Sequence, residues 1–411
     1  MRPGFFGPGS VSGAASHAAP SLPARFVLML RLFALFGAIG WGFYTLTLRH
    51  QAGVDWMVFY TASHAYLDGH LGVLFDGERF TALLNSRFAG WLAFPMSFLP
   101  WVNPPNFLLM ILPFGLLPFA LSYALFEGVT LLLLIAALAF CIRDRARLPL
   151  LIFALVACPA TPFTIFLGQS SFLSGALLIA GFTLTERRPT LAGILFGILA
   201  YKPQFCLLIP VALIAGRHWR VLLAAAATAA LAVLVSAAIF GLGPWRDWLD
   251  FALGASELYR HWSATARLTG QSVYSCLVIL GASPALANLA QGAALLGAGA
   301  ATYWCYRKSL PDHLRLAVLL AASLLAAPHV STSDGLLAGL AAILYLDARL
   351  DRALRLDDVV LASLLWVSPL MSPPHLFVVG TAIPLLLCVF IVSAMRRDGG
   401  KGLPAPGVVA G

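Results

Sequence analysis

The sequence predicts an all-α, polytopic membrane protein, and three observations support that prediction. Hydrophobic residues account for 60% of the 411 positions, charged residues account for 10%, and mean hydropathy is +0.88. Apolar runs of about 20 residues recur along the chain, and each is long enough to cross roughly 30 Å of hydrocarbon as a helix. The period-2 alternation of a transmembrane β-barrel is absent from these runs. A soluble core has no use for so much apolar surface.

The basic residues indicate how the chain is threaded through the membrane. The net charge of +9 would suit a nucleic-acid partner if the charges formed one patch, but they fall in small groups between the apolar runs. We therefore expect no nucleic-acid binding. Basic groups between spans mark cytoplasmic loops. The groups predicted in the cytoplasm are Arg143, Arg145 and Arg147; Arg187 and Arg188; Arg217 and Arg220; Arg307 and Lys308; Arg349, Arg352 and Arg355; and Arg396, Arg397 and Lys401.

The two ends of the chain are predicted to flank one transmembrane domain. Residues 1–24 and 398–411 are predicted as flexible cytoplasmic tails, the first because it is rich in Gly, Pro, Ser and Ala without periodicity. The run from Phe26 to Leu48 is too long for a cleaved signal sequence and predicts an uncleaved anchor. Residues 25–397 then form a single domain of roughly 10–12 transmembrane or half-crossing helices, with external loops at about 49–103 and 241–272.

A first helical hairpin is predicted from two short apolar segments, Leu150–Leu167 and Phe172–Leu184. Basic groups precede the first segment and follow the second. Because both groups favour the cytoplasm, the turn at residues 168–171 is predicted to face outward.

A second hairpin is predicted from Thr190–Ala200 and Pro203–Ala215, with its turn at residues 201–204. The 11 residues of the first arm cover only about 17 Å as a helix, which is too short to cross. Lys202 is therefore predicted to lie at depth, below the outer surface. The alternative is one continuous helix from Thr190 to Ala215, which would invert the topology that follows. Pro203 disfavours that alternative.

Under this topology, polar residues from distant parts of the sequence converge on the external side. Such convergence within a membrane bundle is typical of a functional site. The residues are Asp55, Gln169, Lys202, Arg260, His329, Asp334 and His375.

Short motifs in these regions resemble those of one enzyme family. They are Asp55-Trp56-Met57-Val58-Phe59-Tyr60-Thr61-Ala62; Asn103-Pro104-Pro105 followed by Pro113-Phe114-Gly115-Leu116-Leu117-Pro118; Gly168-Gln169; Ala192-Gly193; Tyr201-Lys202-Pro203-Gln204; and Trp219-Arg220. The ordered set resembles glycosyltransferase family 87. Two positions depart from the family pattern: Asn103 stands where an aromatic residue is usual, and Ser333 stands where a tyrosine precedes the aspartate.

The resemblance implies a fold, a donor and a location. It implies the C-type glycosyltransferase fold and a polyprenyl-phosphate sugar donor, with a lipid or glycan acceptor of the cell envelope. It further implies a multi-pass enzyme of the bacterial inner membrane whose active site faces the periplasm or exterior. The sequence is similar to the mycobacterial polyprenol-phosphate-mannose-dependent mannosyltransferases, so a hexose or pentose, most naturally mannose-like, is expected. No cofactor is expected.

The chemistry of such a donor needs one base and a counter-ion for the phosphate. A polyprenyl phosphate leaves readily once it is neutralised, so the second carboxyl group that glycosidases use as an acid is not needed. Asp55 is predicted as the general base, and direct attack predicts inversion at the anomeric carbon. Lys202 is predicted to neutralise the donor phosphate, with bidentate contacts from Arg260 and Arg267. The residues predicted to contact substrate are Tyr60, Gln169, Gln204, His261, His329 and Asp334.

Each of these residues also has a structural alternative. Asp55 would cap the helix that begins beside it, and Lys202 would pair with a carboxylate such as Asp334. Gln169 would only bridge helices, and Asp334 would serve as an N-cap. His329 would cap carbonyl groups at a helix end. The remaining loop residues would be solvated charges: Arg260, His261 and Arg267.

Other classes of site and protein are less well supported by the sequence. His64, Asp68 and His70 lie near one another but lack the spacing of a metal site, so no metal is expected. A lipid-linked sugar flippase or transporter is the main alternative function. It should show an inverted repeat and polar residues that reach both membrane faces, whereas the predicted polar residues favour one face. A non-catalytic lipid-binding subunit is a third alternative.

Overall fold

The structure, a computed structural model, describes residues 24–48, 52–253, 270–308, 310–350, 355–371 and 377–398. Within these ranges the regular structure is helical, which confirms the predicted all-α class. The α-helices are α1 (Ala24–Leu48), α2 (Val54–Leu67), α3 (Gly77–Arg87), α4 (Pro105–Ile111), α5 (Phe119–Cys141), α6 (Leu148–Ala157), α7 (Ala160–Leu167), α8 (Ser171–Leu184), α9 (Pro189–Ile198), α10 (Pro203–Cys206), α11 (Ile209–Ala215), α12 (Trp219–Phe240), α13 (Gly243–Leu253), α14 (Val273–Ile279), α15 (Pro284–Arg307), α16 (Asp312–Ala326), α17 (Leu336–Asp347), α18 (Leu356–Val367), α19 (Phe377–Gly380) and α20 (Ile383–Asp398). Short 3-10 helices occupy Leu71–Val73, Leu112–Leu116, Leu199–Tyr201, Thr332–Gly335 and Ser368–Met371.

Long apolar helices suited to a bilayer occur in the first 240 residues. Among the described residues, three helices have the length and composition to cross a membrane: Val27–Thr47 within α1, α5 and α12. The pair α6 and α7 makes a fourth candidate if it is counted as one bent span. Shorter apolar helices include α8 and the segments Pro189–Tyr201 and Pro203–Ala215. These helices have the short length and apolar composition that the sequence predicted for half-crossing elements.

The first hairpin turns where the sequence predicted, but its first arm is broken. The arm was predicted as one segment from Leu150 to Leu167, whereas α6 and α7 meet at an angle of 59°. The break lies at Cys158 and Pro159. Proline has no N–H to donate to the preceding turn, and the hydroxyl of Thr161 donates to the Leu155 carbonyl at 2.6 Å across the break.

The second hairpin also turns at the predicted position, so the alternative of one continuous helix is wrong. The α9 helix passes into the 3-10 helix Leu199–Tyr201, and α10 begins at Pro203. Lys202 separates them with φ −117° and ψ 77°, which is not helical backbone. The cause is Pro203, which disfavours the α conformation in the residue before it.

Several described members of the predicted basic groups lie at one end of the bundle, where Arg143 and Arg187 line one cavity together with His218. His218 Nε2 lies 3.7 Å from Glu186 Oε1, which brings the start of α12 beside the start of α9. Arg147 lies 3.7 Å from Asp347, at the end of α17. The helices α8 and α17 both run between this end and the opposite one, and their 14 and 12 residues measure roughly 20 Å.

Candidate active site

Asp55 lies at the start of α2, where the first loop joins the bundle. Gly53 donates its N–H to the carbonyl of Phe166 at 2.7 Å, which fixes the beginning of α2 against the end of α7. Gly53 is also the N-cap, in a left-handed conformation with φ 75°, and no side chain caps this helix. The structural alternative in which Asp55 caps α2 is therefore wrong. Its half-buried carboxylate accepts a hydrogen bond from Gln169 Nε2 at 2.6 Å instead.

The turn that carries Gln169 depends on Gly168. Gly168 has φ 77°, a left-handed conformation that costs a side-chain-bearing residue about 1–2 kcal/mol. A Cβ atom at this position would also lie 2.5 Å from the Cβ of Trp56. Trp56 follows Asp55 directly, so the close approach of Gly168 to Trp56 brings Gln169 within reach of the carboxylate.

Gly168→Ala is therefore expected to lower stability by more than the conformational cost of about 1–2 kcal/mol and to impair sugar transfer. Thermal unfolding and a transfer assay measure the two effects. Gly69→Ala is the matched control, because Gly69 has the same φ of 77° but a Cβ atom added there would meet no other atom within 4 Å. If the two variants unfold at the same temperature, the contact with Trp56 is not important for stability.

Lys202 and Asp334 form a buried ion pair. Lys202 Nζ lies 2.8 Å from Asp334 Oδ1, and both side chains are buried. The Asp334 carboxylate also accepts hydrogen bonds from the backbone N–H and the hydroxyl of Ser331, each at 3.0 Å, and from Ser171 Oγ at 3.4 Å. The cap of the 3-10 helix Thr332–Gly335 is Ser331, and Asp334 is the third residue of its capping box. The alternative in which Asp334 is the N-cap is therefore wrong about the residue, because the N-cap is Ser331, three residues earlier. Asp334 nevertheless takes part in the same cap.

The Asp55–Gln169 pair and the Lys202–Asp334 pair share one electrostatic environment. The α2 helix is not among the candidate spans, and burial raises the pKa of Asp55 from 3.8 to about 6. The hydrogen bond from Gln169 and the charge of Lys202 lower the pKa of Asp55, whereas the charge of Asp334 raises it. His329 interacts electrostatically with both Asp334 and Lys202. The structure thus brings together five of the residues that the sequence singled out.

Aromatic and hydroxyl side chains for which the sequence predicted no role support this cluster. Tyr201 is fully buried and stacks on Phe107, with 4.8 Å between ring centroids. Its hydroxyl lies 3.0 Å from the Ser170 carbonyl and 2.8 Å from Ser174 Oγ. Tyr201 thereby ties the Lys202 turn to the start of α8. Tyr201 stands in the motif Tyr201-Lys202-Pro203-Gln204, and this motif was the sequence signal that pointed to it, although no role was assigned to the tyrosine itself.

The other predicted contact residues lie at the edge of the cluster or outside the described residues. Tyr60 donates its hydroxyl to the Leu117 carbonyl at 2.9 Å, which holds α2 on the segment before α5. Gln204 is half-buried in α10, two residues after Lys202. The predictions for Arg260, His261, Arg267 and His375 fall outside the described residues.

Metal-ligating residues do not cluster in the part of the chain that the structure describes. No group of three or more His, Cys, Asp or Glu side chains there could hold a metal ion. All six cysteines are free thiols.

Comparison with known proteins gives one match. The sequence model described as glycosyltransferase family 87 matches residues 101–332, more than half of the chain. The matched range includes Gln169 and Lys202, begins after Asp55 and ends just before Asp334. No curated protein and no solved structure matches the chain.

Proposed function

Because the chain belongs to glycosyltransferase family 87, we propose that it transfers a hexose or pentose, mannose-like, from a polyprenyl-phosphate donor to an envelope lipid or glycan. Family membership makes the protein a membrane glycosyltransferase of the C-type class. Beyond family membership, we propose a polyprenyl-phosphate donor, an inverting mechanism and an active site on the periplasmic or exterior face of a bacterial inner membrane. It assigns these activities to one domain, residues 25–397.

The observation that carries the proposal is that a half-buried carboxylate, Asp55, and a buried ammonium group, Lys202, lie near enough to interact electrostatically at one end of the bundle. The sugar donor has an anomeric carbon next to a phosphate, so its site needs a base on one side and a cation on the other. Asp55 and Lys202 supply these two groups from α2 and from the turn before α10. Arg143, Arg147 and Arg187, which belong to predicted cytoplasmic loops, lie at the other end of the bundle.

In the proposed reaction, the acceptor hydroxyl gives its proton to Asp55 as its oxygen attacks the anomeric carbon. The bond between that carbon and the phosphate oxygen breaks, and its electrons leave with the polyprenyl phosphate. A single displacement inverts the configuration of the carbon. Gln169 holds the Asp55 carboxylate through the oxygen that it contacts at 2.6 Å, which leaves the second oxygen for the acceptor.

Lys202 is proposed to stabilise the phosphate as negative charge develops on it. An ammonium group has three N–H donors, and Asp334 accepts one of them. The others are available to the phosphate. Asp334 then keeps the ammonium in place between turnovers, which also offsets the cost of holding a charge inside the bundle.

The pKa of Asp55 predicts how transfer depends on pH. A general base must be ionised, and the pKa of this carboxyl is raised to about 6. We expect kcat/KM for the acceptor to be level above pH 7 and to fall about tenfold for each pH unit below about 6. Steady-state rates between pH 4.5 and 8 measure this limb. A profile that stays level down to pH 5 would contradict the assignment.

The function is tested with the purified full chain and a panel of donors. Polyprenyl-phosphate mannose, glucose and arabinose, together with the matching nucleotide sugars, are offered with envelope lipid extract as acceptor. We expect transfer from at least one polyprenyl-phosphate donor and none from nucleotide sugars. Transfer from nucleotide sugars alone would contradict the donor assignment. Movement of labelled lipid-linked sugar across proteoliposomes without transfer would favour the flippase alternative.

A further inference from the structure

A polar cavity lies at the basic end of the bundle, remote from the Asp55 cluster. Its volume is about 160 Å³. It lies where α5 and α8 end and where α16 begins, roughly 20 Å from the first residue of α8. It therefore cannot share a small ligand with the proposed active site.

Two arginines of this cavity have no ionic partner within the described residues. Arg143 and Arg187 both line it and both are exposed. Asp144, the residue after Arg143, pairs with Arg147 at 2.9 Å instead. Both guanidinium groups therefore line the cavity, and no acidic side chain of the described residues pairs with either of them.

The other charged groups of the lining already have partners. Arg315 pairs with Asp312, the residue at the start of its own helix. His313 contacts Asp347 Oδ2 at 2.5 Å with one ring nitrogen and the Cys141 carbonyl at 3.2 Å with the other. Because Asp312 and Asp347 already pair with Arg315 and His313, neither carboxylate pairs with Arg143 or Arg187.

The turn before α12 adds a histidine to the same cavity. Arg217 has φ 59° and is the one non-glycine residue with positive φ in the described part of the chain. The turn packs the His218 ring against Gly216, where a Cβ atom would lie 2.5 Å from the ring. His218 Nε2 is 3.7 Å from Glu186, the remaining carboxylate of the lining, whose side chain is 82% exposed. Glu186 is thus the one carboxylate of the lining beside these arginines, and its nearest cationic group is His218.

We propose that this cavity binds a phosphate-bearing anion through Arg143 and Arg187. Guanidinium groups form bidentate hydrogen bonds with phosphate oxygens. Phe140, Phe182 and Leu316 form an apolar wall beside the arginines, so a phospholipid headgroup fits the lining as well as a soluble phosphate does. Basic pockets between membrane helices bind anionic lipid headgroups in this manner.

The test measures binding to the purified, delipidated full chain and does not depend on sugar transfer. Native mass spectrometry compares phosphatidylglycerol with phosphatidylcholine, and thermal unfolding is followed in inorganic phosphate and in chloride at equal ionic strength. We expect preferential retention of phosphatidylglycerol or a melting temperature raised by phosphate. The first result alone identifies a lipid ligand, and the second alone identifies a soluble one.

Arg143→Gln/Arg187→Gln is expected to weaken this binding at least about tenfold, because each lost charge-assisted hydrogen bond is typically worth that factor. The matched control is Arg188→Gln/Arg220→Gln, which removes the same charge from exposed residues at the same end, outside the cavity. Equal losses in both variants would overturn the site, since general charge would then explain the binding. So would a wild-type protein that prefers neither phosphatidylglycerol nor phosphate, a result that needs no variant to fold.

Discussion

Replacing Asp55 with asparagine is expected to lower the rate of sugar transfer by about 10²–10⁴-fold, the usual contribution of a general base. Asparagine has nearly the same shape and can still bond to Gln169, so the start of α2 should keep its place. An amide cannot accept the acceptor's proton at neutral pH. The variant should therefore bind donor and remain folded while kcat falls, and the residual rate should lose the acidic limb of its pH profile.

The matched control for this variant is Asp68→Asn. Asp68 follows the last residue of the same helix and pairs with Arg87 at 2.6 Å, with 45% of its side chain exposed. An exposed pair of this kind contributes only about 0–1 kcal/mol, so its loss should leave transfer near the wild-type rate. If Asp55→Asn folds, binds donor and transfers sugar at the wild-type rate, Asp55 is not the base.

The hairpin turns at residues 168–171 and 201–204 could be predicted from the sequence. The positions of the basic groups and the lengths of the apolar segments together allowed few topologies. Basic groups on both sides of a pair of short apolar segments return the chain to one side of the membrane. The proline after Lys202 excluded the continuous helix. No break was predicted at Pro159, because the segment from Leu150 to Leu167 is long enough to pass for one span. A proline inside an apolar run marks a bend as well as a turn.

The sequence did not reveal which polar residues of the site contact one another. Lys202 and Asp334 are 132 positions apart, and hydrophobic periodicity says nothing about which polar residues of different helices meet. Their pairing was one stated alternative among several. No role was predicted for Ser171 or Tyr201, because hydroxyl groups are common in membrane helices and usually bond to their own backbone. Gln169 was placed correctly at a turn, but its contact with Asp55 needed the close approach of Gly168 to Trp56.

The pairing of Lys202 with Asp334 leaves two roles for the lysine, and a double-mutant cycle separates them. Lys202→Met leaves the Asp334 carboxylate buried without its counter-ion, which is expected to cost about 3–5 kcal/mol of stability. Asp334→Asn strands the ammonium in the same way. In the double variant neither charge is buried, and asparagine can still accept the backbone N–H of Ser331. Its melting temperature should therefore recover most of the loss, giving a coupling energy well above that of separate sites.

Recovery of stability should not be accompanied by recovery of transfer if Lys202 binds the donor phosphate. We expect the double variant to fold and to remain at least about 100-fold slower than wild type, the usual loss when one group that stabilises developing charge is removed. Arg349 and Asp358 provide a control, because they form a buried pair at 3.6 Å outside the Asp55 cluster. Arg349→Met/Asp358→Asn should keep its transfer activity. A Lys202→Met/Asp334→Asn protein with wild-type transfer would show that the lysine serves only to neutralise Asp334, and the phosphate-binding role would then pass to other cations such as Arg260 and Arg267.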